Sequence, residues 1–250
     1  MADEMTNLVL RADKDGCAFL TLNRPKKLNA LTVAMFCELK THVDAIAQDA
    51  GVGVVVLRGA GRCFSAGHDL ADIAHGERLP APHFQSQVIE QLANLPQPLI
   101  TAVHGHCYTG GLELALAGDI ILAARSAKFA DTHAKWGLTP VWGLSQRLPR
   151  RVGLAKAREM MFTCRTYSGE EAVQFSLANE CVDDAQFEQR IADLVGEIAA
   201  QSWFSHRANK QLLIETDGLP LGAGIAHESY RTAGGAPDAH ERLARFSARK

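Results

Sequence analysis

Two glycine-bearing stretches hold the residues with the clearest chemical potential. Phe64-Ser65-Ala66-Gly67-His68-Asp69-Leu70 follows a Val-rich run. His104-Gly105-His106-Cys107-Tyr108-Thr109-Gly110-Gly111-Leu112-Glu113 follows a second apolar run and leads into a helical pattern. Loops at the C-terminal ends of strands can aim backbone N–H groups at a ligand, and a helix start adds its dipole to them. Such donors suit a negative charge that develops during a reaction. Glu113, in the opening turn of that helix, either complements the dipole or works on a proton in the same space. Other chemistries fit less well. Gly105-x-x-x-x-Gly110-Gly111 is half of a phosphate-binding loop, without the Lys and Ser/Thr that would hold phosphate and magnesium. Ser65 lacks the G-x-S-x-G setting of an exposed nucleophile. His104, His106 and Cys107 have no fourth ligand at suitable spacing, so no metal site is expected.

The elements that must position these loops follow from periodicity. Leu8–Arg11 and Cys17–Asn23 read as strands joined by Asp13-Lys14-Asp15-Gly16, and Pro25 ends the second. Thr32 is a plausible N-cap for a helix to about Ala50, with Met35, Leu39, Val43 and Ile46 on one face. Val52–Leu57 reads as a strand buried on both faces. Ile73–His83, with Gly76, Pro80 and Pro82, reads as a mobile connection before a helix to about Leu95. The strand Leu99–Val103, a glycine-rich loop over His104–Gly111, the helix Leu112–Ala117 and the strand Ile120–Ala123 follow. From about Gly153 the pattern is mostly helical: Leu154–Thr163, Gly169–Ser176, Ala185–Ala200 and Phe204–Thr216. A Gly/Pro-rich break then precedes a charged terminal helix. Strand–helix alternation followed by helices predicts an α/β core with a helical C-terminal extension.

The 250 residues suffice for one large domain with a sizeable core. A formal net charge of only -2, from 26 Lys and Arg against 28 Asp and Glu, argues against nucleic acid or an anionic membrane as partner. The helix from Thr32 offers only Lys40 as a fixed positive charge, a poor surface for a phosphate backbone. Six scattered cysteines without a C-x-x-C pair point to reduced, mostly buried thiols. The acidic N-terminus has no apolar leader, and no apolar run reaches membrane-span length. A soluble, cytoplasmic protein is expected.

Four blocks taken together are more specific than any one of them. Asn23-Arg24-Pro25-Lys26-Lys27-Leu28-Asn29-Ala30-Leu31, Phe64–Leu70, Gly105–Glu113 with Asp119-Ile120, and Gly137 to Arg147-Leu148 resemble the enoyl-CoA hydratase/isomerase (crotonase) family in order and spacing. The likeness continues through Ala172–Val182 into the C-terminal helices. It implies an α/β spiral of ββα units with a C-terminal helical trimerisation region. Residues 1–195 would form the core for acyl-CoA binding and catalysis, and residues 196–250 the part that mediates a homotrimer or a dimer of trimers. It further implies an oxyanion hole made by the backbone N–H groups of His68 and Gly110, holding a thioester oxygen as an enolate forms. Coenzyme A contacts would fall on Lys27, Leu28, Ala66, His68, Asp69, Leu70 and Gly110. Phe246 and Arg249 resemble the end of an aromatic-and-basic segment that touches adenine from a neighbouring subunit. Coenzyme A is part of the substrate, and no separate cofactor is implied.

The sequence departs from the family pattern at one catalytic position. Glu113 matches the first of two glutamates that family hydratases use, but the second falls on His133, in Phe129-Ala130-Asp131-Thr132-His133-Ala134-Lys135-Trp136-Gly137. A histidine can move protons near neutral pH, so His133 either takes over that work or lines the pocket. Asp131 either orients its imidazole or points elsewhere. Trp136 and Trp142 are expected to line the acyl pocket or pack its wall. The resemblance implies a hydratase-like lyase that adds water to an acyl-CoA thioester or eliminates it. The alternatives are a malonyl-type acyl-CoA decarboxylase, an enoyl-CoA isomerase, or a catalytically inactive relative that binds coenzyme A. His68 favours decarboxylation and Pro140 opposes it; the missing second carboxylate counts against isomerisation.

Overall fold

Uninterrupted Val- and Leu-rich runs need cover on both faces, and the fold supplies it. A computed structural model describes residues 7–247. In chain order its strands are β1 (Val9–Lys14), β2 (Cys17–Leu22), β3 (Val54–Gly59), β4 (Leu99–Val103), β5 (His106–Tyr108), β6 (Ile120–Ala124), β7 (Lys128–Ala130), β8 (Tyr167–Ser168) and β9 (Glu180–Val182). The large sheet has the order β1-β2-β3-β4-β6-β9, and a small one has the order β5-β7-β8. Only the β1–β2 hairpin is antiparallel in the large sheet; the other four pairings are parallel.

Because successive side chains on a strand alternate sides, β3 serves two cores. Val55 and Leu57 join the main cluster with Leu39, Val43 and Ile46 of the helix Val33–Ala47. Val54 and Val56 face the other way, into a second cluster with Phe187, Ile191, Leu194 and Val195 of the helix Phe187–Ala199. The Thr32 hydroxyl caps the first of these helices by accepting from the Met35 amide at 3.2 Å, as its position predicts.

The parallel strands β4 and β6 are each followed by a short strand and a helical turn. β4 leads to β5 and the helix Gly110–Ala115, and β6 leads to β7 and a 3-10 turn at Ala134–Trp136. After β3 the equivalent short strand is reduced to a single bridge, Ser65 to Cys107. This is the expected spiral of ββα units, and it gathers the chain after β3, β4 and β6 at one end of the large sheet.

Several expected boundaries need correction. The segment His104–Gly111 is not loop throughout, since β5 occupies its centre, and the helix that follows begins at Gly110 rather than Leu112. Three-residue strands are too short to leave an alternating pattern. The C-terminal half is less purely helical than its pattern predicts, because β8 and β9 lie within it. The connection after Ile73 includes the end of a helix, Leu70–His75, whose N-cap is Asp69. A helix at Leu144–Val152 contains Pro149, which masks it in a helix-period search.

Side chains of the helix Trp203–Thr216 fasten the C-terminal region to the core, among them Arg207, which donates to the Val52 carbonyl at 3.1 Å. Lys210, buried on the helix Trp203–Thr216, donates to Asp119 Oδ2 at 2.7 Å and to the Gln97 carbonyl at 3.1 Å. Trp203 lies over the β1–β2 turn and the start of β3, where β-carbons at Gly16 and Gly53 would fall 2.7 and 2.2 Å from its ring. Exposed apolar side chains continue beyond it, including Leu213, Leu221, Ile225 and Tyr230.

Candidate active site

The first and second sequence blocks are sewn together by their backbones. Leu28 and Asn29 both take the left-handed conformation, at φ 52° and 51°. This turns Leu28 O toward the Ala66 amide at 2.9 Å, and Leu31 then exchanges bonds with Gly67 O at 2.8 Å and the Asp69 amide at 2.9 Å. The buried Asn29 side chain secures the turn, donating to the carbonyls of Ala60 and Cys63 at 2.9 and 2.8 Å. Gly67 sits at φ 103°, and a β-carbon there would strike Tyr108 O at 2.6 Å. Only glycine lets the His68 amide approach the next turn so closely.

That next turn brings Gly110. A β-carbon on Gly67 would lie 3.4 Å from the Gly110 nitrogen, and one on Gly110 would lie 3.1 Å from the His68 nitrogen. The two amides therefore adjoin across the turns. Among the described residues, neither donates to a backbone carbonyl. Both residues border a cavity of about 810 Å³, together with Ala66, Leu70, Glu113, His133, Trp136 and Trp142. The helix that starts at Gly110 is only six residues long, so the local amides matter more than a long dipole.

Glu113 enters this cavity from the first turn of that helix and is almost fully buried. Its Oε1 accepts from the amides of Trp142 and Leu144, at 2.9 and 3.2 Å. Oε2 is left facing His133 Nε2 at 3.7 Å. Burial pushes the Glu113 carboxyl above its ordinary value, while the charge of His133 and the two amide bonds pull the other way. Behind His133 stands Asp131, whose Oδ1 lies 2.6 Å from His133 Nδ1 and accepts from the His133 amide at 3.1 Å. A carboxylate accepts, so Nδ1 carries a hydrogen and Nε2 is the atom that faces Glu113. Asp131, His133 and Glu113 form one buried line.

The enoyl-CoA hydratase/isomerase family model matches residues 12–230. The chain is a member of that family. It is 35% identical to the probable peroxisomal enoyl-CoA hydratase 1 of Arabidopsis thaliana, over 88% of this chain and 83% of the relative. It is 33% identical to the 1,2-epoxyphenylacetyl-CoA isomerase of Escherichia coli K12, over 98% and 97%. The crystal structure of an enoyl-CoA hydratase from Bacillus anthracis superposes with a TM-score of 0.92 at 29% identity, covering 97% of each chain.

Within this family member the expected site residues divide into three groups. His68, Gly110, Glu113 and His133 are brought to one cavity, and Ala66 and Leu70 line it as well. Lys27, Leu28 and Asp69 lie outside that lining. Lys27 is exposed, Leu28 acts through its carbonyl, and Asp69 binds Arg24 at 3.0 Å while capping the helix Leu70–His75. Phe246 is on the terminal helix Ala239–Ser247, and Arg249 falls outside the described residues. Both tryptophans line the cavity: Trp142 is buried, whereas Trp136 is 53% exposed.

Sequence reasoning missed a second histidine–carboxylate pair. His68 Nε2 lies 2.6 Å from Glu77 Oε1, and Glu77 Oε2 accepts from Gln85 at 3.0 Å. The His68 ring also packs on Trp142, centroids 4.6 Å apart. Glu77 comes from the segment that looked like a featureless connection, and no motif flags it.

Proposed function

We propose that this protein adds water to the double bond of a 2-enoyl-CoA, and removes it from the 3-hydroxyacyl-CoA in the reverse direction. The observation that supports this most is the arrangement of two amides, His68 and Gly110, that donate to no backbone carbonyl among the described residues, beside the buried Glu113–His133 pair. The thioester oxygen would take both amide hydrogens, each worth roughly 3 kcal/mol to the charge that forms on it. Glu113 takes a proton from water as the oxygen bonds to the β-carbon, and the electron pair moves to the thioester oxygen. The proton then crosses from Glu113 Oε2 to His133 Nε2, 3.7 Å apart, and His133 delivers it to the α-carbon as the enolate collapses to the thioester, which leaves both groups as they began. A glutamate raised above its ordinary value by burial is a better match to neutral-pH proton transfer than an exposed one.

The reaction requires no cofactor beyond the coenzyme A of the substrate. Ala66 and Leu70 at the cavity wall support a thioester lying along the second block. Assembly as a trimer or a dimer of trimers is part of the same proposal, supported by exposed Leu213, Leu221, Ile225 and Tyr230 on the C-terminal helices. So is residence in the cytosol, supported by six cysteines outside any disulfide. Among the described residues no helix is long and apolar enough to cross a membrane.

Loss of the enoyl-thioester absorbance with crotonyl-CoA and longer homologues tests the activity. Turnover is expected with wild-type protein and not with Glu113→Gln. Equal rates in the two would end the proposal. Release of carbon dioxide from methylmalonyl-CoA without hydration would move the protein to the decarboxylating branch instead.

A further inference from the structure

Thr109 holds the most strained backbone conformation beside the cavity. Leu28, His83 and Cys164 also have positive φ, but with ψ of 34°, 24° and 25° they occupy the ordinary left-handed basin. Thr109 stands at φ 52°, ψ -110°, outside that basin. A β-branched residue stays there only when its surroundings hold it. Its ψ sets the orientation of the peptide that carries the Gly110 N–H.

What holds it comes from the end of β7 and the chain just after it. The Thr109 amide donates to Ala130 O at 2.8 Å. The Thr132 amide donates to Thr109 Oγ1 at 3.1 Å, and the two threonine hydroxyls are hydrogen-bonded to each other. Thr132 stands between Asp131 and His133 in sequence, so the segment that grips Thr109 also delivers the imidazole.

We propose that the Thr109–Thr132 hydroxyl pair is a latch that fixes the Gly110 amide and the His133 imidazole as one unit. This rests on the reading of the cavity as a thioester site. Neither threonine need touch the reacting atoms. Thr132 holds the strained turn at Thr109, and the turn aims an oxyanion donor. The latch matters to the reaction because a misplacement of about 1 Å in such a group lowers a rate by as much as about a hundredfold.

The test uses Thr132→Val, Thr132→Ser, Thr109→Val and the double variant Thr109→Gly/Thr132→Val in the full-length protein. Two readouts are taken: kcat and KM with crotonyl-CoA, and the enolate absorbance of bound acetoacetyl-CoA, which reports carbonyl polarisation without turnover. Thr132→Val should lose about tenfold or more in kcat with KM within about twofold, and Thr132→Ser should stay near wild type. Thr109→Val removes the hydroxyl pair and also the acceptor of the Thr132 amide, so it should lose at least as much as Thr132→Val, which keeps the test intact if one variant folds poorly. The double variant should recover several-fold over Thr132→Val, because glycine holds that conformation unaided. An undiminished enolate signal and kcat in Thr132→Val, or a double variant no faster than the single, would overturn the latch alone. Wild-type protein that binds acetoacetyl-CoA without an enolate signal would overturn the thioester site and the latch together.

Discussion

The cavity has a histidine–carboxylate pair on each side, and the two are geometrically alike but differently placed. His133–Asp131 and His68–Glu77 both meet at 2.6 Å. The side chains of the first pair are 9% and 1% exposed, those of the second 19% and 12%. His133 is held through Nδ1, which leaves Nε2 toward a buried carboxylate. His68 is held through Nε2, and its ring lies against Trp142. A short contact does not identify a proton carrier. The atom left free, and what it faces, does.

The largest effect that would sharpen this contrast is at Glu113. Glu113→Gln keeps an acceptor for the Trp142 and Leu144 amides and should lower kcat about a thousandfold with crotonyl-CoA. His133→Gln should follow at about a hundredfold; a loss of less than about threefold would reduce His133 to a wall residue. Asp131→Asn should cost about tenfold, since the ring would be less firmly held in the tautomer that faces Glu113. Glu77→Gln should change kcat by about twofold or less, because His68 is proposed to act through its amide. A loss at Glu77 as large as that at Asp131 would break the comparison.

The smallest expected effect is on stability, and its sign is opposite to the effect on activity. Burial raises the Glu113 carboxyl above 4.5, so the folded protein holds that proton more tightly than the unfolded chain. The stabilisation this gives is complete at pH below about 4.5 and is lost as pH rises through the folded value. Glu113→Gln is neutral throughout. It should therefore melt above wild type near about pH 8, by roughly 2–4 °C per kcal/mol relieved, and the gap should close on acidification. A lower melting point at both pH values would contradict this.

Legibility in the sequence followed from how each feature is encoded. The Thr32 cap, the doubly buried β3 and the helix after the second glycine loop are local patterns; the cap lies where its residues place it, β3 begins two residues later than expected and the helix two residues earlier. Gly110 and Glu113 were readable because a strand, a glycine turn and a helix start fall in one stretch. His133 emerged only through the resemblance, since a lone histidine in a short polar segment carries no signal by itself. The grip on Glu113 was not readable: it is made by backbone amides 29 and 31 residues further on, at positions where any non-proline residue supplies the same N–H. Glu77 and the Thr109–Thr132 contact depend likewise on segments that meet only in three dimensions.

The seating of Trp203 over Gly53 has a consequence for how the molecule comes into being. During synthesis the first hairpin and β3 leave the ribosome on the order of ten seconds before the indole that completes their packing. In that interval a groove floored by glycine stays open to water and to other nascent chains. The N-terminal part of the sheet is therefore finished last on one side, and a ribosome that stalls short of Trp203 releases an open groove.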